Sequence, residues 1–131
     1  MHGHLPRLIY SGPIGDSTQW RELQRTMLTT RFGYSDSIYH LFNRNGTPIY
    51  VGKSAQIDRR FVTHAHEKPW WPKVRHAIIY RLTCESHSHE PCRGSWSRPW
   101  APIERAALLW ERAAIVDLRP RYNIAGIGGR I

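Results

Sequence analysis

The sequence has no long hydrophobic run, few acidic residues and only two cysteines, and each shortage removes a class of function. A membrane-spanning helix needs roughly 20 consecutive apolar residues, and no stretch approaches that. Met1 to Gly15 is broken by His, Arg, Pro and Gly instead of carrying the apolar centre of a secretory signal. The expected compartment is therefore the cytoplasm, and a membrane is not among the expected partners. In that compartment Cys84 and Cys92 are expected to be reduced thiols unless a metal holds them. Internal repeats and low-complexity segments are also missing, which excludes solenoids and fibrous arrays.

The shortage of acids is the most informative. Ten Asp and Glu stand against nineteen Lys and Arg, giving a formal net charge of +9 that is spread along the chain. Such a field attracts polyanions, with nucleic acid the leading partner, although a membrane surface or a solubility requirement would favour the same sign. The 131 residues suit one domain, and a hydrophobic content of 40% suffices for one modest core.

Read along the chain, residues 1–15 are an extended, Gly- and Pro-rich arm. Asp16 with Gln19 forms a potential capping box opening a helix over roughly 17–30, with Trp20, Leu23 and Met27 on one face. Ser37–Phe42 and Pro48–Gly52 are β-favouring runs separated by Asn45-Gly46, a strong hairpin signal. A helix is expected over about 56–67, with Ile57, Phe61 and Ala65 on its apolar stripe, ended by Pro69-Trp70-Trp71-Pro72. Ala77–Thr83 reads as a third strand and 84–101 as a surface loop or insertion. Pro102 then opens a long helix whose apolar face holds Ile103, Ala106, Ala107, Trp110, Ala113, Ala114 and Val116 or Leu118, stopped by Pro120. This order implies an α+β domain with a small sheet flanked by helices. It divides into an N-terminal arm and helix (1–34) and a main domain (35–131) carrying the insertion at about 84–101.

Arg60 and His64 are four residues apart, so both project from one side of their helix, next to Ile57 and Phe61. Phosphodiester hydrolysis needs an activated water and positive charge on the non-bridging oxygens. A guanidinium matches phosphate geometry, and a lone carboxylate such as Glu111 can hold one Mg²⁺, which keeps several waters and takes few protein ligands. A tyrosine could act as base only if neighbouring cations lowered its pKa from about 10. Lys53, Arg60 and a metal would exert that bias. Taken singly, Tyr39 and Tyr50 read better as a cross-strand aromatic pair, Arg60 as a solvated helix residue, His64 as a surface or core histidine and Glu111 as a salt-bridge partner.

Together these residues carry a resemblance. Ser37-Ile38-Tyr39, then ten residues, then Tyr50-Val51-Gly52-Lys53 resembles the GIY-YIG nuclease signature. Arg60 follows eight residues after Gly52, His64 four later, Glu111 on the long helix, and Asn123 in Arg119-Pro120-Arg121-Tyr122-Asn123. The last stretch resembles the nuclease domain of bacterial excision-repair incision enzymes. The resemblance implies a three-stranded antiparallel sheet flanked by helices and DNA hydrolysis with one divalent ion, Mg²⁺ or Mn²⁺. Glu111 would hold the metal and Arg60 the scissile phosphate. Tyr39 and Tyr50 would line the site, one activating or orienting the attacking water, with Tyr39 slightly favoured as base. His64 would take part in a hydrogen-bond relay, Lys53 would assist electrostatically, and Asn123 would close the site. One departure is that Ser37 replaces the motif's first glycine, where a side chain could crowd a close backbone contact.

Cys84-x-x-His87-x-His89-x-x-Cys92 supplies four zinc-type ligands, but within nine residues of one loop. A bound zinc, an unligated polar loop (the preferred reading) and a Cys84–Cys92 disulfide are all open. Further DNA contacts are expected from Arg59, Lys68, Lys73, Arg75, Arg93, Trp96, Arg98, Trp100 and Arg121, because aromatics among cations can stack on bases while the cations meet phosphate. Trp70 and Trp71 read as structural. Three functions follow: a DNA endonuclease first, then a non-catalytic DNA-binding module with a zinc-stabilised loop, or an RNA nuclease. Targeting would come from dimerisation or from a separate DNA-binding protein.

Overall fold

A computed structural model describes residues 6–27, 36–82 and 101–123. The elements in chain order are β1 (Arg7–Pro13), α1 (Ser17–Met27), β2 (Asp36–Phe42), β3 (Pro48–Ser54), α2 (Ile57–Glu67), a short 3-10 turn (Trp71–Lys73), β4 (His76–Leu82) and α3 (Ala101–Leu118). The domain is α+β, with helices on both faces of one sheet. Residues 83–100, including the expected Cys/His cluster, lie outside the described residues, as do 28–35.

Local chemistry sets several boundaries. Asp16 Oδ1 accepts the backbone N–H of Thr18 and of Gln19, while Gln19 Oε1 accepts the N–H of Asp16, closing the capping box at the start of α1. In the β2–β3 hairpin, Asn43 Oδ1 accepts the N–H groups of Asn45 and Thr47 at 2.9 Å each, and Gly46 adopts φ +82°. The turn is thus wider than the Asn45-Gly46 pair, with the glycine at its left-handed position.

The sheet has four strands in the order β1-β4-β2-β3, all antiparallel, where the sequence gives reason to expect three. The additional strand comes from the N-terminal arm, which is extended as expected but pairs with β4 from Arg7↔Arg81 to Pro13↔His76. Its alternation was obscured by Gly12 and Pro13, residues that strands tolerate at edges, which is where β1 lies.

Strand alternation splits the core in two. Tyr39, Leu41, Ala77 and Ile79 face α1 and α2, packing with Trp20, Ile57, Phe61 and Trp70. Ile38, Val51 and Leu82 face α3 and meet Ile103, Ala107 and Ile115. In α2 the buried positions are Ile57, Phe61 and His64, while Ala65 is exposed. In α3 the inward stripe runs 103, 107, 111, 115, so Trp110 (41% exposed), Ala113 and Val116 (63% exposed) point outward. Ala106, Ala107, Ala114 and Leu118 pack on this core as expected, so the face is narrower than the sequence pattern only at Trp110, Ala113 and Val116. Both inward stripes therefore carry one polar residue where an apolar one would pack: His64 in α2 and Glu111 in α3.

Candidate active site

The site gathers around β3 and its neighbours. Register Tyr39↔Gly52 and Leu41↔Tyr50 places both tyrosines on the α2 face, with ring centroids 6.2 Å apart. Gly52 is what lets Tyr39 lie flat against β3. A Cβ there would stand 2.4 Å from Tyr39 Oη and 2.5 Å from Cζ. Ser37, at the motif's first glycine, is fully buried, and its hydroxyl donates to the Ser54 carbonyl at 2.5 Å. The side chain thus ties β2 to β3.

Tyr39 has no accessible surface, and its hydroxyl is 2.7 Å from His64 Nε2. His64 is boxed by Tyr39, Tyr50, Trp70 and Trp71. Burial, together with Arg60 and Lys68, lowers its pKa to about 4, so the imidazole is neutral at physiological pH. Its buried Nδ1 has no partner among the described residues. Burial pushes the Tyr39 phenol well above its ordinary value, with Tyr50 adding to the rise and Arg60 opposing it. Tyr50 also rises, through burial and Glu111 against Arg60, but it retains accessible surface. Among the described residues Tyr39 is fully enclosed, whereas Tyr50 is partly exposed.

Glu111 is half-buried. Desolvation raises its carboxyl pKa and Asp36 adds to the rise, while Lys53, Arg112 and Arg60 oppose it. Its charge is also felt at Tyr39 and Tyr50. Tyr39, Tyr50, Lys53, Arg60, His64 and Glu111 thus share one electrostatic neighbourhood assembled from β2, β3, α2 and α3. Arg59, one residue from Arg60, instead lines a groove between α1 and α2 with Ser17, Arg21, Asp58, Val62 and Thr63. The one-residue step turns it about 100° around the helix, away from the tyrosines.

Asn123 holds the edge of β3. Its Oδ1 accepts the Val51 N–H at 2.6 Å and its Nδ2 donates to the Val51 carbonyl at 2.7 Å, so a side-chain amide stands where another strand would pair. Arg121 and Tyr122 continue this pairing through backbone N–H donors to Pro48 and Ile49. Tyr50, Trp70 and Tyr122 form a stack, with centroids 4.9 Å and 5.8 Å apart. Lys73 Nζ lies 3.2 Å from Tyr122 Oη. Lys68 caps the C-terminus of α2, and the Arg75 guanidinium donates to the Pro72 carbonyl. Arg93, Trp96, Arg98 and Trp100, like Cys84, His87, His89 and Cys92, lie outside the described residues.

Two buried polar residues escaped sequence reasoning. Asp36, 1% exposed, accepts the Ser37 N–H and lies 3.4 Å from Lys53 Nζ; burial raises its pKa although Lys53 opposes this. The hairpin register places Asp36 diagonal to Lys53, a signal available only once that register is known. Gln24 reaches from α1 to accept the Ile57 N–H at 2.6 Å and donate to the Ala55 carbonyl at 3.1 Å. It satisfies an orphan donor at the start of α2, a task that N-cap residue Gln56 does not perform with its own side chain. No signal in the sequence marks it.

The chain is 30% identical over 100 residues to UvrABC system protein C of Methylococcus capsulatus, covering 76% of this chain and 14% of that protein. It resembles UvrABC system protein C. The protein of that name from Aliarcobacter butzleri is 30% identical over 94 residues, and that from Dechloromonas aromatica 26% over 87, each across 66% of this chain. The chain spans only 12–14% of the length of these relatives. No family model and no solved structure matches it. Among the described residues no helix is long and apolar enough to cross a membrane, and no group of three His, Cys, Asp or Glu could hold a metal ion.

Proposed function

We propose that the protein is a DNA endonuclease of the GIY-YIG type, hydrolysing phosphodiester bonds with one divalent cation, Mg²⁺ or Mn²⁺. The observation that carries this reading is the gathering of Arg60 and Glu111, with Lys53 acting on Glu111, around Tyr39, Tyr50 and a neutral His64. The similarity to UvrABC system protein C and the net charge of +9 supply independent support for DNA as substrate.

The donor set fits a hard cation. Glu111 is a lone carboxylate on an inward helix position whose desolvation a divalent ion would offset, and Mg²⁺ needs few protein ligands because it keeps its waters. When bound, the ion would acidify a water and neutralise charge on the phosphate. Arg60 binds the scissile phosphate, offering paired donors to its non-bridging oxygens. Lys53 adds positive charge beside Glu111. Both tyrosines have raised pKa values, which disfavours a phenolate, so we assign Tyr50 as a neutral phenol that orients the attacking water. The Tyr39–His64 pair, joined by a 2.7 Å hydrogen bond, packs against the Tyr50 ring and positions it.

Supercoiled plasmid incubated with the protein tests the reading. Nicking or linearisation is expected with Mg²⁺ or Mn²⁺ and not with EDTA, and the Glu111→Ala variant should bind DNA without cutting it. An uncut plasmid with either ion, or unchanged cutting by Glu111→Ala, would overturn it.

A further inference from the structure

The aromatic stack that begins at Tyr50 ends at the protein surface. Tyr50 packs on Trp70 at an interplanar angle of 23°, and Trp70 on Tyr122 at 17°, so the three rings are nearly parallel. Trp70 is 6% exposed and belongs to the core, while Tyr122 is partly exposed. Trp70 covers one face of the Tyr122 ring, and among the described residues no aromatic ring covers the other. The backbone around Tyr122 is fixed, because the N–H groups of Tyr122 and Arg121 and the Asn123 amide all bond to β3. Lys73 Nζ sits 3.2 Å from the phenol oxygen and 5.8 Å from the ring centroid. The Lys73 hydrogen bond, with a smaller contribution from Arg121, pulls the phenol below its ordinary pKa.

A rigid, partly exposed aromatic ring beside two cations has the composition of a single-strand binding platform, where a base stacks and its phosphate meets positive charge. The hydrogen bond from Lys73 to the Tyr122 hydroxyl holds the ring in place and sets a cation at its edge. We propose that Tyr122, with Lys73 and Arg121, is a stacking platform for one unpaired nucleotide of the DNA substrate. This inference rests on the nuclease reading, since it is continuity with Tyr50 that places the platform next to the scissile phosphate. A base inside a duplex offers no free face, so the platform selects substrates with a single-stranded, frayed or flipped nucleotide beside the cut.

Fluorescence anisotropy of the full chain in EDTA, where no cutting occurs, tests this with a short labelled oligothymidylate and a duplex of equal length. Tyr122→Phe keeps the ring and should bind the single strand within about threefold of the wild type. Tyr122→Leu should raise the single-strand Kd roughly 5- to 100-fold while changing duplex binding far less. Unchanged single-strand binding by Tyr122→Leu, or equal losses on both probes, would overturn the stacking role. Wild-type protein that binds neither probe would overturn the nuclease reading itself, a distinct outcome. Should Tyr122→Leu fail to fold, photocrosslinking of wild-type protein to a 5-iododeoxyuridine oligonucleotide decides. A mapped adduct on Tyr122 is expected, and adducts only elsewhere would refute the platform.

Discussion

His64 offers a quantitative test that depends on the fold alone. Its pKa falls from 6.5 to about 4 because the ring is buried in an aromatic box with Arg60 and Lys68 nearby. In the unfolded chain the same histidine takes up a proton near pH 6.5. The folded state therefore gains stability from keeping His64 neutral. That gain is fully present above pH 6.5 and is lost as pH falls through a window about 2.5 units wide, ending near the folded pKa. At 1.36 kcal/mol per unit, the loss reaches at most about 3 kcal/mol, or on the order of 10 °C in Tm for a domain of this size. Other groups titrate in the same range. His40 is also depressed by burial and adds a slope of the same sign. Asp36 and Glu111 are raised and give the opposite sign, binding protons more readily when folded. The informative quantity is thus the difference between wild type and His64→Gln, measured by urea unfolding from pH 7.5 down to 4.5. Wild type should lose stability relative to the variant across that window, and NMR of the His64 Cε1–H should show no titration above about pH 5. Parallel curves, or a His64 titration near 6.5, would refute the reasoning.

Other substitutions probe the site from different sides. Arg60→Ala should lower cleavage by roughly 10²–10³, about 3–4 kcal/mol of transition-state stabilisation, whereas Arg59→Ala in the α1–α2 groove should leave the single-turnover rate within about threefold. Gly52→Ala drives a Cβ into Tyr39, which Phe61 and His64 hold in place. It should cost about 3 kcal/mol in denaturant melts and less in a Tyr39→Ala background, where the two closest contacts are gone and only Tyr50 Cε2, 2.9 Å from the added Cβ, remains to be displaced. Asn123→Ala leaves the buried N–H and carbonyl of Val51 unpaired and should cost about 2–3 kcal/mol, with faster hydrogen exchange at the Val51 amide as the local readout.

How much of this was legible in the chain varies by element, for identifiable reasons. The capping box at Asp16 and the hairpin around Asn45-Gly46 rest on contacts within a few residues, so local patterning suffices to find them. The spacing of Tyr39, Tyr50, Lys53, Arg60, His64, Glu111 and Asn123 was also readable, because a motif is a property of order and interval. What the intervals do not carry is environment. Ten residues separate Tyr39 from Tyr50 in any conformation, but only packing under α2 buries one ring completely and leaves the other partly exposed. Arg59 and Arg60 face different surroundings because helix rotation separates neighbouring residues by about 100°.

By itself the sequence determined an α+β domain with a basic surface and a set of chemistry-bearing side chains in a recognisable order. Tertiary structure alone decided that β1 joins the sheet as its fourth strand, since its pairing with β4 spans more than sixty residues and its Gly and Pro mask the pattern. It also decided that Asp36 meets Lys53, that Gln24 caps α2, and that Tyr122 ends a stack leading from Tyr50. Each of these is a long-range contact whose partners have no local reason to be those residues. They are fixed only when the hydrophobic faces of sheet and helices are buried together.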